Sequence, residues 1–211
     1  MEATKSTFIE LRLTDEVINR LADLGYNLES LQEAISKHEW KHDSESPALY
    51  CGTYGKYNSG SLRGMWVDLS TFDYYEEFEA FCLAIHADEA DPELMYQDYE
   101  NMPRSLYHES MGEEEFENIL KYCELCDDYS VEAVDDFLEW SSSDDLGRMH
   151  DAYVGVYDSE EDFAEEIVSD CYDLEKTMGD LACYFDYEKF ARDLFMCDYY
   201  FGSHGTVFRA F

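Results

Sequence analysis

The chain has 211 residues, of which 50 are Asp or Glu and 14 are Lys or Arg, so its formal net charge is −36. This charge excludes a protein that binds DNA or an anionic membrane, because phosphate contacts need Lys and Arg. The 45% hydrophobic and 16% aromatic content excludes a disordered acidic tail and predicts a folded core.

Residues 1–46 are predicted to form a separate N-terminal helical hairpin. Thr14 can cap a first helix with apolar residues at helical spacing, and Gly25 ends it. Asn27 can cap the second helix. That helix carries three glutamates and one lysine, which argues against a DNA-binding helix-turn-helix.

Residues 47–103 are predicted to form a small α+β domain. Two strands, at 48–54 and 65–69, are joined by a loop rich in Gly, Asn and Ser. A helix over 74–86 follows, and the segment 94–99 completes the domain.

Residues 104–143 are predicted to form a helical domain, with helices over 113–127 and 131–140 and Ser130 as the cap of the second. The remaining residues, 144–211, are predicted to form a C-terminal α+β domain.

In that last domain Ser159 and Asp162 form a capping-box pattern that begins a helix. A helix over 187–196 and a hairpin of strands 199–201 and 206–208 complete the chain. The seven cysteines have no regular spacing, which favours reduced and buried thiols. No stretch is long and apolar enough for a membrane span, and we expect a cytoplasmic protein.

The acidic excess lies mainly after residue 47, where 40 acids face 9 bases. The predicted helix 160–170 carries six acids, or about one charge per 3 Å of helix axis. A single DNA strand carries one charge per roughly 3.4 Å. The helices at 113–127 and 131–140 come close to the same density. The pattern therefore predicts a rigid carboxylate surface that a basic, DNA-binding groove recognises.

The candidate partner-binding residues share one feature, a carboxylate on or beside a predicted element of residues 74–170. They are Glu76, Glu77, Glu79, Asp88, Glu89, Asp91, Glu93, Asp98, Glu113, Glu114, Glu115, Glu117, Glu124, Asp127, Asp128, Glu132, Asp135, Asp136, Glu139, Asp144, Asp145, Asp151, Asp158, Glu160, Glu161, Asp162, Glu165, Glu166 and Asp170.

Other functions have weaker support. Carboxylate pairs are too frequent to indicate a hydrolase, and no Ser, Cys or His pattern indicates a nucleophile, so no catalytic residue is assigned. The ligand order of a calcium loop is absent, and the CxxC at Cys123 and Cys126 lacks a second pair at zinc spacing. We therefore expect no metal and no cofactor. Solvated helix faces and halophilic adaptation are alternative explanations of the charge.

Three segments resemble one known family. The run Tyr54-Gly-Lys-Tyr-Asn-Ser-Gly-Ser-Leu-Arg-Gly-Met-Trp66 resembles the start of the ArdA antirestriction proteins. Asp158-Ser-Glu-Glu-Asp-Phe163 and Phe185-Asp-Tyr-Glu-Lys-Phe-Ala-Arg-Asp-Leu194 are similar to the C-terminal segments of that family. The resemblance covers about residues 48–211, and the antirestriction motif of the family falls in about 144–157.

The resemblance implies an α+β fold, an elongated chain of small α/β and helical domains, here with the extra N-terminal hairpin. It implies a homodimer that mimics bent DNA and occupies the DNA groove of a Type I restriction-modification enzyme, on its methyltransferase and specificity core. The dimer would block restriction and modification. An acidic DNA mimic directed at another DNA-binding protein, such as a nucleoid protein or a different defence nuclease, is the alternative. Trp66 and Trp140 are expected to be core or dimer anchors.

Overall fold

The computed structural model describes residues 46–211 except Ala87. The described residues divide into two compact units, the first ending at Leu120 and the second spanning Lys121–Phe211. Helices and two small antiparallel sheets confirm the α+β class. The predicted N-terminal hairpin lies outside the described residues, and the elongated arrangement and the four-domain division stay predictions.

The first unit is built on a three-stranded antiparallel sheet in the order β2-β1-β3. The two strands predicted on either side of the glycine-rich loop pair with each other, with Tyr50 opposite Trp66. The elements are β1 (Ala48–Thr53), α1 (Tyr54–Asn58), β2 (Met65–Asp68), α2 (Tyr75–Ile85) and β3 (Leu94–Glu100), with 3₁₀ turns at Leu69–Thr71 and Arg104–Leu106.

Helix α2 packs an aromatic core against this sheet. Phe78 and Phe81 are buried, as their helical spacing predicts. The Phe78 ring stacks on Tyr96 of β3 at a centroid distance of 5.7 Å and on Phe116 at 5.2 Å. Each such aromatic pair adds about 0.5–1.5 kcal/mol beyond its area burial.

The second unit has a sheet in the order β4-β6-β5, also antiparallel. The predicted closing hairpin is β5 and β6, with Tyr200 opposite Phe208. Helix α3 (Glu113–Asp128) contains the boundary between the two units. The elements after it are α4 (Val131–Trp140), α5 (Met149–Ala152), β4 (Tyr153–Val156), α6 (Glu160–Cys171), α7 (Leu174–Met178), α8 (Tyr187–Cys197), β5 (Tyr199–Phe201) and β6 (Thr206–Arg209), with 3₁₀ turns at Ser143–Arg148 and Gly179–Tyr184.

Serine caps fix the starts of α4 and α6, as predicted. The Ser130 side chain accepts a hydrogen bond from the backbone N–H of Ala133 at 3.2 Å. Ser159 Oγ accepts from the N–H of Asp162 at 3.1 Å and donates to the Asp162 carboxylate at 2.8 Å. Such caps satisfy backbone donors that the first helical turn leaves without partners.

Trp140 is half-buried and packs on the sheet of the second unit. Its ring stacks on Tyr200 at 5.5 Å and on Phe208 at 6.0 Å. Helix α8 is more exposed than its apolar positions Phe190, Ala191, Leu194 and Phe195 predict. Ala191 is its buried residue, whereas Phe190 and Phe195 are half-buried.

Four short elements, α1, β4, α5 and α7, have four or five residues each and were not among the predicted elements. Elements of this length carry too few periodic positions for the apolar pattern to identify them. Within residues 46–86 and 88–211, no helix is long and apolar enough to cross a membrane.

Candidate functional site

Helix α6 presents a continuous acidic face. Its six acids, Glu160, Glu161, Asp162, Glu165, Glu166 and Asp170, are all exposed. The opposite face buries Phe163, Ala164 and Val168. Acids four residues apart lie about 6 Å apart along the helix axis, so the pattern fixes two parallel rows of charge.

This acidic face is not explained by helix stability alone. Acids in the first turn of a helix interact favourably with the helix dipole, which accounts for Glu160, Glu161 and Asp162. Asp170 lies near the C-terminus, where the dipole disfavours a negative charge, and the last turn carries no basic residue. Glu165 adds repulsion at helical neighbours.

The candidate acids of the first unit lie in four places. They are the first turns of α2, the connection from α2 to β3, the middle of β3, and the first turns of α3. The exposed ones are Glu76, Glu77, Asp88, Asp91, Glu93, Asp98, Glu113, Glu114 and Glu117.

In the second unit the candidate acids follow the C-terminal half of α3, then α4, α5, α6 and their connections. The exposed ones outside α6 are Glu124, Asp127, Asp128, Glu132, Glu139, Asp144, Asp151 and Asp158.

Five candidate acids, Glu79, Glu89, Glu115, Asp135 and Asp145, are half-buried, and each accepts a hydrogen bond. The half-buried Asp135 and the buried Asp136 leave α4 with exposed acids at Glu132 and Glu139, at opposite ends of the helix. Its exposed charge density is therefore well below the predicted value. In α3 the exposed acids are grouped at the two ends.

Asp136 is fully buried and does not belong to the surface. Its carboxylate accepts hydrogen bonds from the backbone N–H groups of His204 and Thr206 at 3.0 and 3.3 Å. The Ser203 hydroxyl at 3.0 Å and His204 Nδ1 at 2.8 Å complete the shell. Asp136 therefore fixes the turn between β5 and β6.

The hydrogen bonds around Asp136 also set its protonation. Burial alone would raise the pKa of Asp136, but the hydrogen bonds from His204, Thr206 and Ser203 outweigh it and lower this pKa. The same contact raises the pKa of His204. Ser203 and Asp136 both contact Nδ1 of His204. In a catalytic triad the hydroxyl and the carboxylate contact different ring nitrogens, so this imidazole is not placed as a general base between them.

A buried lysine, absent from the candidate residues, organises the first unit. Lys56 Nζ donates to Asp88 Oδ1 at 2.8 Å and lies 2.7 Å from His86 Nδ1. An ammonium has only donors, so Nδ1 accepts, and Nε2 carries the proton that goes to the carbonyl of Cys51 at 3.2 Å. Asp88 also lies 3.6 Å from Arg63, and the two cations lower its pKa against the opposing effect of burial.

Few of the candidate acids pair with a base. Among the residues that the structure describes, Asp88, Glu89, Glu124 and Asp145 pair with Lys or Arg, and so does Glu188, which is not a candidate. Asp128 and Asp136 lie 3.9 and 2.8 Å from histidine nitrogens. None of the six acids of α6 takes part in these pairs. Arg104 is instead held by the Tyr107 carbonyl at 2.8 Å and lies 4.8 Å above the ring of that residue.

The cysteines are less buried than predicted. Cys171, Cys183 and Cys197 are exposed, while Cys51 and Cys82 are buried. Burial raises the pKa of Cys51, but its contacts with Cys82 and His86 and the charge of Lys56 outweigh this effect and lower the pKa to about 7. Over the described range, no group of three or more His, Cys, Asp or Glu side chains is placed to hold a metal ion.

A comparison with protein families identifies the chain. The model of the family "Antirestriction protein (ArdA)" matches residues 49–208. The chain has no significant match among curated proteins. The family match covers both units of the described structure and spans the acidic helix α6. The chain therefore belongs to the ArdA family of antirestriction proteins.

Proposed function

We propose that this antirestriction protein is a DNA mimic. In this proposal its surface carboxylates take the place of DNA phosphates, occupy the DNA-binding groove of a Type I restriction-modification enzyme, and block restriction and modification. The observation that carries the proposal is the face of α6, with six exposed acids and no ion pair to any of them among the described residues.

The chemistry of carboxylates supports this role. Like a phosphate, a carboxylate accepts charge-assisted hydrogen bonds from Lys and two parallel hydrogen bonds from Arg. The rows of acids on α6 hold these acceptors at fixed spacing, because the helix is anchored through Phe163 and Val168. A preorganised array loses little conformational entropy when it binds.

The amount of charge supports a mimic of useful length. Residues 48–211 carry 31 more acids than bases. Laid out like duplex phosphates, these charges correspond to about 16 base pairs per chain. A homodimer would then match roughly 30 base pairs, a length suited to a large DNA-binding enzyme.

The edge strand β4 supports a homodimer, which we include in the proposal. This strand pairs with β6 on one side, and Val154 and Val156 are 37% and 61% exposed. An edge strand with apolar side chains is prone to pair with another chain. Val156→Lys should weaken the dimer in sedimentation equilibrium, whereas Val131→Lys, at a helix position of similar exposure, should leave it intact.

The proposed mechanism is occupation without catalysis, in the cytoplasm. The protein is titrated against DNA cleavage and methylation by a purified Type I enzyme at several salt concentrations. We expect inhibition of both reactions near one dimer per enzyme core. The inhibition should weaken steeply as salt rises, because charge pairs at an exposed interface are screened.

Two results would contradict the proposal. Inhibition indifferent to salt would exclude a phosphate-like surface, and turnover of the enzyme or its DNA by substoichiometric protein would indicate catalysis. If Type I enzymes are not inhibited but another DNA-binding protein is displaced from DNA, the mimicry stands and the target changes.

A further inference from the structure

The second unit contains an open recess of about 600 Å³ where α6 ends and α7 begins. Asp170, Tyr172, Asp173 and Glu175 line the recess together with Tyr187, the first residue of α8. Val168 and Leu174 supply apolar surface. The recess thus combines aromatic rings with carboxylates.

The two tyrosine rings of the recess are held in place by their neighbours. Tyr172 makes an edge contact with Phe190 at a centroid distance of 6.3 Å, and Tyr187 makes one with Phe185 at 4.9 Å. Tyr172 is nevertheless 56% exposed. Accessible tyrosine rings are good partners for a cation, because the ring face carries negative potential.

Three features make the recess electrically negative. Asp170 and Glu175 are exposed and take part in no ion pair among the residues that the structure describes. Asp173 uses one oxygen to accept from the N–H of Lys176 at 3.0 Å, as the cap of α7. The C-terminal end of the twelve-residue helix α6, which has no basic residue in its last turn, adds the negative end of a helix dipole.

We propose that this recess receives an arginine side chain from the basic partner of the protein. The negative charge of the recess favours a cation as the ligand, and the tyrosines favour a planar guanidinium over an ammonium. A guanidinium stacks on aromatic rings and offers five donors in a fixed plane, while a lysine is a strongly hydrated point charge. The recess is large enough for the arginine and part of the segment that carries it.

This inference rests on the proposed function for its partner and adds a contact that DNA phosphates do not offer. A phosphate backbone has no aromatic ring. The recess would therefore favour partners with a suitably placed arginine.

The test measures peptide binding to the full-length protein. The probes are acetylated and amidated tetra-arginine and tetra-lysine, which have equal charge, and tetra-citrulline, which keeps the shape of arginine without its charge. The variants are Tyr172→Leu and Tyr187→Leu, which leave the charge unchanged. Tyr184→Leu is the matched control, since Tyr184 is 79% exposed and does not line the recess.

We expect the wild type to bind tetra-arginine about three- to tenfold more tightly than tetra-lysine, and tetra-citrulline hardly at all. Each recess variant should reduce the preference for arginine toward unity while tetra-lysine binding stays within about twofold. Tyr184→Leu should retain the preference. Circular dichroism checks the fold, and Asp170→Asn with Glu175→Gln, which keeps both rings, should reduce tetra-arginine binding as a second variant.

Equal binding of the two cationic peptides by the wild type, or a preference unchanged in both recess variants, would overturn the inference. The proposed function is read separately, from salt-dependent inhibition of the Type I enzyme by the wild type. Inhibition without an arginine preference would support the DNA mimic and overturn arginine binding in the recess. An arginine preference without inhibition would support the recess and overturn the Type I enzyme as the target.

Discussion

The ammonium nitrogen of Lys56 lies 2.7 Å from Nδ1 of His86, and both residues are buried in the first unit. Lys56 belongs to the Gly-Lys-Tyr-Asn segment, and His86 follows the last residue of α2. The contact, with the pair from Lys56 to Asp88, ties the glycine-rich loop to the end of that helix. A strongly acidic protein thus uses one of its few basic residues to hold a loop against a helix.

Replacing Lys56 by Met should destabilise the first unit by about 2–4 kcal/mol. The substitution leaves the acceptor Nδ1 of His86 buried without its donor and removes a partner of Asp88. Urea unfolding measures the loss. Lys189→Met is the control, because Lys189 is exposed and should cost less than about 0.5 kcal/mol. Equal midpoints for the two variants would show that the contact does not stabilise the fold.

The pair formed by Asp136 and His204 should make the stability of the second unit depend on pH. The raised pKa of His204 means that its contribution is fully present below the unfolded value of about 6.5 and is lost as pH rises through the folded pKa. The lowered pKa of Asp136 means that its contribution is present above the unfolded value of about 3.9 and is lost as pH falls through the folded pKa.

The free energy of unfolding is therefore compared for the wild type and His204→Asn between about pH 4 and pH 9. The difference between the two proteins should be largest from about pH 4 to 6.5 and should shrink at higher pH. A difference that grows above pH 7 would contradict the assigned contact.

The backbone at Gly202 lies against the same buried carboxylate. A Cβ placed there would overlap the carboxyl group of Asp136. Gly202→Ala should therefore destabilise the protein by about 1–3 kcal/mol, as overpacking does in a filled core. Gly147→Ala is the control, since nothing lies within 4 Å of its Cβ position. Thermal unfolding that ranks the two variants alike would refute the close approach.

The acidic face of α6 should reduce stability. Glu165 lies four residues after Glu161 and three after Asp162, so like charges meet at helical spacing. Glu165→Gln should raise the free energy of unfolding by about 0.3 kcal/mol at low salt, and the gain should vanish at high salt. Glu188→Gln should instead lower it slightly, because Glu188 pairs with Arg192 at 3.4 Å. A loss in both variants would mean that the acids of α6 stabilise the helix.

Local patterns predicted most of the fold. The strands around the glycine-rich loop, the capped helices α4 and α6 and the closing hairpin follow from periodicity and capping residues over a few positions. The burial of Lys56 could not be predicted in this way. Its partners His86 and Asp88 lie 30 and 32 residues away in the sequence.

The candidate surface was predicted less well at acids that the fold buries. The sequence around Asp136 does not reveal its hydrogen-bond partners, because they lie 67 to 70 residues away. One signal was present. Asp136 follows Ala133 by three residues and precedes Trp140 by four, which places it on the apolar side of α4. An acid on the apolar side of a helix indicates a buried partner more often than a binding site.

The central claim is that position, and not total charge alone, makes the acids of α6 resemble phosphates. Two variants with equal net charge separate these effects. One replaces Glu161, Glu165 and Glu166 by Gln and Asp170 by Asn. The other replaces four exposed acids outside the candidate surface, Asp73, Asp180, Asp193 and Asp198, by Asn.

The decisive measurement is the inhibition constant for the Type I enzyme as a function of salt. The α6 variant should inhibit at least about tenfold more weakly than the wild type. Its slope of log affinity against log salt should fall by about two to four, roughly one for each lost contact. The control variant should change both quantities much less. Equal losses in the two variants would contradict the claim and leave only a diffuse negative field.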